Sequence, residues 1–303
     1  MPPTTFPTKP LAVEGIGVDE VLELLDRIDG TLPSKRLVEV PEIKDGRAIV
    51  IGDTHGDWPT LQSLAEKYLI GEGRVERFVL LGDYVDRSPE GLPFASIINA
   101  IYVLSLMANY PDRVLLFRGN HEAFELIPFQ GHDLMGDSLG CWDTKAVSER
   151  IEAIFDKLPL GGITENGIYL AHAGYPITGS WRDDLLHPTN KTWLQVLWND
   201  VDASPTCGCR GIDQESIGSK NLNDFLFASG ARVFVRGHDP AVAGELLYHN
   251  RVLTVHTTRD RASSGVLAAQ LPLGERLNEL SKDHILKVEI PPLPPTQPER
   301  LFP

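Results

Sequence analysis

Three short apolar runs in this chain each end in side chains that bind divalent cations. They read IVIGDTHGD (Ile49–Asp57), VLLGDYVDR (Val79–Arg87) and LLFRGNHE (Leu115–Glu122). Asp, His and Asn supply the oxygen and nitrogen donors that hard and borderline metals prefer. Asp53 and His55 stand two apart just past the first run, so in an extended segment they point to one side. Gly52 and Gly56 flank them and permit a tight turn. Alone, this D-x-H reads equally well as a turn cap beside a loop imidazole. Asp83 follows the second run, and one carboxylate can bridge two cations about 4 Å apart. Asp86 and Arg87 come next; alone they read as a surface ion pair of little energetic weight. Asn120 follows the third run and offers a carbonyl to a metal or an amide to a phosphate. His121 beside it reads as a general acid or as a hydrogen-bonded structural imidazole. Three such clusters in order, each entered by a β-rich run, point to a two-metal site.

Two later runs end in the same manner. IYLAHAG places His172, and VFVRGHDP places His238, at strand ends. A lone strand-end histidine is usually structural. With three clusters upstream, ligation is the favoured reading of both.

Side chains at strand ends need a sheet to hold them, and chemistry in layered α/β proteins sits at such ends. Strands are expected at 47–52, 77–82, 113–118, 167–171, 231–236, 251–256 and 265–270. Helices are expected at 18–28, 58–69, 90–108 and 144–158, from apolar residues at helical spacing. Early β-α alternation followed by closely spaced strands predicts a mixed sheet or two packed sheets flanked by helices. The expected organisation is an N-terminal extension and helix over 1–35, one catalytic domain over 36–287, and a Pro-rich extended tail over 288–303.

The chain has 303 residues, enough for a sizeable core. Its net charge of −14 argues against nucleic acid as a partner. No signal-peptide pattern and no long apolar run is seen, so no membrane partner and a cytoplasmic location are expected. Three cysteines make no disulfide framework, and Cys207-Gly-Cys209 reads as a plain loop. His132, His187, His249 and His284 read as structural or solvated.

The ordered set GDTHG, GDYVDRS, RGNHE, LAHAG and VRGHD, with KLPLGGI and LWND between, resembles the phosphoprotein phosphatase family of serine/threonine phosphatases. The resemblance spans about residues 47–240. It implies the four-layer α/β metallophosphoesterase fold, with two packed mixed β-sheets flanked by helices. It implies one metal held by Asp53, His55 and Asp83, and a second held by Asp83, Asn120, His172 and His238. The cofactors would be two divalent ions, Mn²⁺ first, with Fe or Zn²⁺ as alternatives. A metal-bridging hydroxide would attack phosphorus in line; no cysteine here is followed by a C-x₅-R arginine, in keeping with a reaction without phospho-enzyme. Arg87, Asn120 and Arg210 would hold phosphate, and His121, oriented by Asp86, would protonate the leaving oxygen. The substrate would be a phosphoprotein or phosphopeptide. The rival readings are a dinucleoside polyphosphate or other small phosphoester hydrolase, and a metal-retaining scaffold without turnover. The chain leaves the family pattern twice. Ser88 replaces a glycine and predicts a different turn beside Arg87. The loop VHTTRDR lacks the family's Tyr and Cys; His256 or Arg259 could take their place at the rim, with an exposed loop residue the favoured reading of each.

Overall fold

The computed structural model describes residues 6–11, 15–32, 35–129, 131–177, 180–209, 215–259, 261 and 263–293. Strands β1 (Leu37–Val40), β2 (Arg47–Ile51), β3 (Arg77–Leu80), β4 (Val114–Leu116), β5 (Gly161–Thr164) and β6 (Ile168–Ala171) come from the first 171 residues. Strands β7 (Val233–Arg236), β8 (Leu246–Leu247), β9 (Val252–Thr254), β10 (Leu267–Pro272) and β11 (Ile285–Lys287) complete two sheets. One runs β11-β10-β2-β3-β4, the other β1-β5-β6-β7-β9-β8. In the first, β2, β3 and β4 are parallel while β10 runs antiparallel to both β2 and β11. In the second, β6, β7 and β9 are parallel and β5 and β8 pair antiparallel. Both sheets are therefore mixed, as expected.

The period-2 alternation of each strand explains why the sheets stack. On β2, Ala48 and Val50 face the second sheet; Ile49 and Ile51 face helices. Phe78 against Val79, and Phe234 against Val235, divide in the same way. The inner layer between the sheets holds Val50, Val79, Phe117, Leu170, Val235 and Leu253. Replacing one such buried aliphatic by alanine costs roughly 2–5 kcal/mol.

Helices α1 (Val18–Asp29), α2 (Trp58–Ala65), α3 (Ala95–Asn109), α4 (Leu134–Trp142) and α5 (Ala146–Phe155) cover the five-stranded sheet. Helix α1 enters this layer through Val21, Leu25 and Ile28. Helices α6 (Trp181–Leu186), α7 (Asn190–Leu197) and α8 (Ser219–Ser229) cover the other sheet, with Trp181 and Trp193 in their core. The result is the four-layer arrangement.

Two helix expectations shift. The helix expected at 58–69 turns into a π-helical turn over Glu66–Ile70. The helix expected at 90–108 begins only at Ala95, because Pro89, Gly91 and Pro93 hold the preceding loop out of helix. Its orphan N–H groups at Ser96 and Ile97 are met by the Asp137 carboxylate of α4, at 3.0 and 3.3 Å.

Candidate metal centre

The carboxyl ends of β2, β3, β4, β6 and β7 converge. The segment after β2 is stitched to that after β3: the backbone N–H groups of Thr54 and His55 both donate to the Asp83 carbonyl, at 3.0 and 2.9 Å. Glu122 ties the β3 loop to the β4 loop. Its carboxylate accepts from the backbone N–H of Asp83 (2.7 Å), Tyr84 (2.7 Å) and Gly119 (2.9 Å). Gly82 and Gly119 allow this, since a Cβ on Gly82 would lie 2.4 Å from the Gly119 nitrogen. The sheets meet where Asp53 bridges His256, and Thr257 N–H donates to the Asp53 carbonyl at 3.0 Å. Left-handed backbone is concentrated here, at His55, Asp83, Asp86, Arg87 and His238. Such strain persists only where surrounding contacts over-determine it, and it clusters at working sites.

This scaffold brings Asp53, His55, Asp83, Asn120, His172 and His238 into one buried bowl. Groups of ligand atoms from Asp53, His55 and His256, from His55, Asp83 and His121, and from Asp83, His172 and His238 each lie within 4.8 Å of one another. The proton positions follow from the hydrogen-bond partners. His55 Nδ1 is 2.9 Å from the Val85 carbonyl, and His172 Nδ1 is 3.1 Å from that of Leu81. Carbonyls only accept, so both Nδ1 atoms carry the hydrogen and both neutral rings present a bare Nε2 lone pair. The lone pair of His55 faces Asp53 Oδ2 at 3.8 Å and Asp83 Oδ2 at 3.7 Å. That of His172 faces Asn120 Oδ1 at 2.9 Å, His238 Nδ1 at 3.1 Å and Asp83 Oδ1 at 3.4 Å. His238 Nδ1, which also faces Asn120 Oδ1 at 3.0 Å, can donate; the oxygens are acceptors turned on acceptors, and these repel. Donors about 2 Å from a shared cation stand roughly 3–4 Å apart, which is the spacing seen. A backbone carbonyl behind each imidazole is also what orients a metal-binding histidine.

Electrostatics agree. Burial, then Asp53 and Glu122, push the Asp83 carboxyl well above its ordinary range. Burial would raise Asp53 too, but His256, His172 and His55 hold it down at about 2. Burial lowers His55 and takes His172 to about 4, keeping both rings neutral and able to ligate. A cation placed among these groups neutralises the repulsion that raises Asp83. The donor set therefore fits divalent ions.

Beside the bowl sits a different arrangement. His121 Nδ1 is 2.8 Å from Asp86 Oδ2, while its buried Nε2 has no hydrogen-bond partner among the described residues and lies 3.8 Å from Asp83 Oδ2. Burial would raise Asp86, but hydrogen bonds from His121 and His132 hold it well below the usual carboxylate range. Burial lowers His121 more than Asp86 raises it. A phosphate dianion arriving at Nε2 opposes that lowering. Arg87 is exposed at the rim; its N–H donates to Asp133 Oδ2 at 3.0 Å, and Arg261 Nη2 donates to its carbonyl at 2.9 Å. Arg210 lies outside the described residues.

The turn beside Arg87 is left-handed at Asp86 (φ 63°) and Arg87 (φ 49°). Two expectations are corrected. His256 and Arg259 are buried rather than exposed. His256 Nε2 stands 3.5 Å from Asp53 Oδ2 because the sheet-to-sheet bridge draws its loop inward. Arg259 pairs with Asp57, the N-cap of α2, through Nε at 3.0 Å and Nη2 at 2.9 Å. Of the two readings of His132, the structural one applies, since its ring meets Asp86. His256 had a signal in its place just past the apolar run VLTV; His132 had none.

The calcineurin-like phosphoesterase family model matches residues 46–242. The chain is 27% identical over 247 residues to the serine/threonine-protein phosphatase 4 catalytic subunit of Saccharomyces cerevisiae, covering 77% of this chain and 76% of that one. Its fold is similar to that of a protein serine/threonine phosphatase from Saccharomyces cerevisiae, with a TM-score of 0.70, 20% identity, and 91% and 90% of the two chains covered. A cold-active protein-tyrosine phosphatase of a psychrophilic Shewanella is similar too, with a TM-score of 0.51, 17% identity, and 82% and 80% covered. Among the described residues no helix is long and apolar enough to cross a membrane.

Proposed function

The chain belongs to the calcineurin-like phosphoesterase family, and on that premise we propose that it is a metal-dependent protein serine/threonine phosphatase. The observation that carries this reading is the bowl of facing lone pairs, with Asp83 at its centre and the His121–Asp86 pair at its edge. The sequence relative named above is a serine/threonine phosphatase subunit and supports the choice of substrate class.

Asp53, His55 and Asp83 would hold one cation, with His256 near enough to Asp53 to join them. Asp83, Asn120, His172 and His238 would hold the other. Mn²⁺ is the proposed occupant, with Fe or Zn²⁺ as alternatives. When bound, two such ions supply positive charge to the phosphoryl oxygens and activate water near neutral pH. Arg87 orients the phosphate by donating to its oxygens, and Arg210 is proposed as a second arginine for that task. His121 holds a proton on Nε2 and gives it to the departing seryl or threonyl oxygen. Asp86 keeps Nδ1–H of that ring in place and stabilises its charged form. The cytoplasm is proposed as the compartment, on the cysteine content of the sequence, which makes no disulfide framework.

The test is parallel turnover, in Mn²⁺, of a phosphoserine peptide, a phosphotyrosine peptide and a dinucleoside polyphosphate. The phosphoserine peptide is expected to give the highest kcat/KM. Preference for the dinucleotide, or no turnover of any of them, overturns the reading.

A further inference from the structure

The acid pair has a second attachment that its role in the proposed reaction leaves unused. His132 lies in the loop before α4, with its side chain 5% exposed. Its Nδ1 is 3.0 Å from Asp86 Oδ2 and its Nε2 is 3.2 Å from Glu152 Oε1, on α5. Carboxylates accept, so a ring that meets one at each nitrogen donates from both and is a cation. Burial alone would lower its pKa, but hydrogen bonds to Asp86 and Glu152 raise it to about 9. Asp133 is the other charged neighbour, its carboxyl sensing both His132 and His121. The ring lies flat on Phe124, with centroids 4.1 Å apart and planes 4° from parallel. Asp86 is thus held from every side: Oδ2 by His121 (2.8 Å) and His132, Oδ1 by the Asp133 N–H at 2.6 Å.

We propose that His132 is a positioning residue: a charged strut between Asp86 and Glu152 that fixes the carboxylate aiming His121 at the leaving oxygen. This rests on His121 being the acid of the proposed function. In that step a water oxygen bonds to phosphorus and its proton passes to solvent. The P–O bond to the seryl oxygen breaks, its electron pair stays on that oxygen, and the Nε2 proton of His121 joins it. Serine and inorganic phosphate result. An alkoxide needs that proton, whereas a dinitrophenolate leaves without it. Loss of the strut should therefore be felt selectively on substrates with poor leaving groups.

The experiment compares kcat on a phosphoserine peptide and on dinitrophenyl phosphate, using the full chain loaded with Mn²⁺. His132→Phe keeps a ring on Phe124 and removes both hydrogen bonds. Its loss on the peptide is expected to exceed its loss on the aryl ester by about tenfold. Glu152→Gln, at a half-exposed position that tolerates change, should shift the ratio in the same direction by less. NMR of the metal-free chain should show both ring nitrogens of His132 protonated at neutral pH. An unchanged ratio in both variants, or a neutral His132 ring, overturns the strut. His121→Asn serves as the reference. If it too lacks selectivity, the acid assignment falls and takes the strut with it; if it alone is selective, only the strut falls.

Discussion

The bowl and the relay beside it are built on opposite rules of polar matching. In the bowl, the bare nitrogens of His55 and His172 face carboxylate and amide oxygens, so acceptor meets acceptor. In the relay, His121 and His132 meet Asp86 and Glu152 through nitrogen donors on carboxylate acceptors. A buried acceptor without a donor is costly, so the first arrangement calls for a cation. The second is satisfied within the protein except at His121 Nε2, which has no hydrogen-bond partner among the described residues. The lesson is that proximity of His and Asp side chains does not identify a metal site; the direction of the hydrogens does. Behind His55 and His172 stands a backbone carbonyl, and behind His121 stands a carboxylate.

Breaking the bowl should have the largest effect. Asp83→Asn removes the shared carboxylate, and kcat/KM on a phosphoserine peptide is expected to fall by about 10³ or more. Elemental analysis of the same protein should find metal lost after dialysis. Wild-type metal content in an inactive variant would break the comparison. Next comes the relay. His121→Asn is expected to cost about 10² in kcat, in line with a lost general acid, while metal content stays at the wild-type level. Metal loss in that variant would move His121 into the bowl. At the boundary, His256→Ala should weaken metal retention by about tenfold, read by dialysis against graded chelator. No change in retention would leave His256 a spectator.

The smallest effect sharpens the relay by pH. The pKa of His132 is about 9 in the folded chain, against an ordinary 6.5. A pKa raised on folding contributes stability that is fully present below about 6.5 and is lost as pH rises through about 9. The Tm gap between wild type and His132→Phe should thus be widest near pH 6 and close towards pH 9 and above. A gap that widens with pH would mean that the ring is not the cation of the pair.

How far the sequence could be read follows the same division. The bowl sits at the ends of apolar strands, and GDTHG, GDYVDRS, RGNHE, LAHAG and VRGHD announce its residues by their place after one. The strand order left one mixed sheet and two packed sheets both open, and the two-sheet fold followed from the family resemblance. What was not legible lacks local periodicity. The strand Gly161–Thr164 opens on two glycines, with little β propensity, and is held by pairing on both sides. Helix α6 has only six residues, too few for a helical period to show. His132 reaches Asp86 across 46 residues of chain, through a loop whose path is set by packing on Phe124 and α5. Arg259 reads as a loop cation until the sheet-to-sheet bridge brings it to Asp57. Side chains placed by tertiary contact leave no mark at their own position, whereas those placed by strand ends do.

The claim on which the rest depends is that the facing lone pairs are completed by two divalent ions. Calorimetric titration of Mn²⁺ into the metal-free chain tests it directly. The account predicts two ions bound per chain in the wild type and weakened binding of both in Asp83→Asn, since that residue faces each set of ligands. A single ion, none, or two whose binding is indifferent to Asp83 would contradict it.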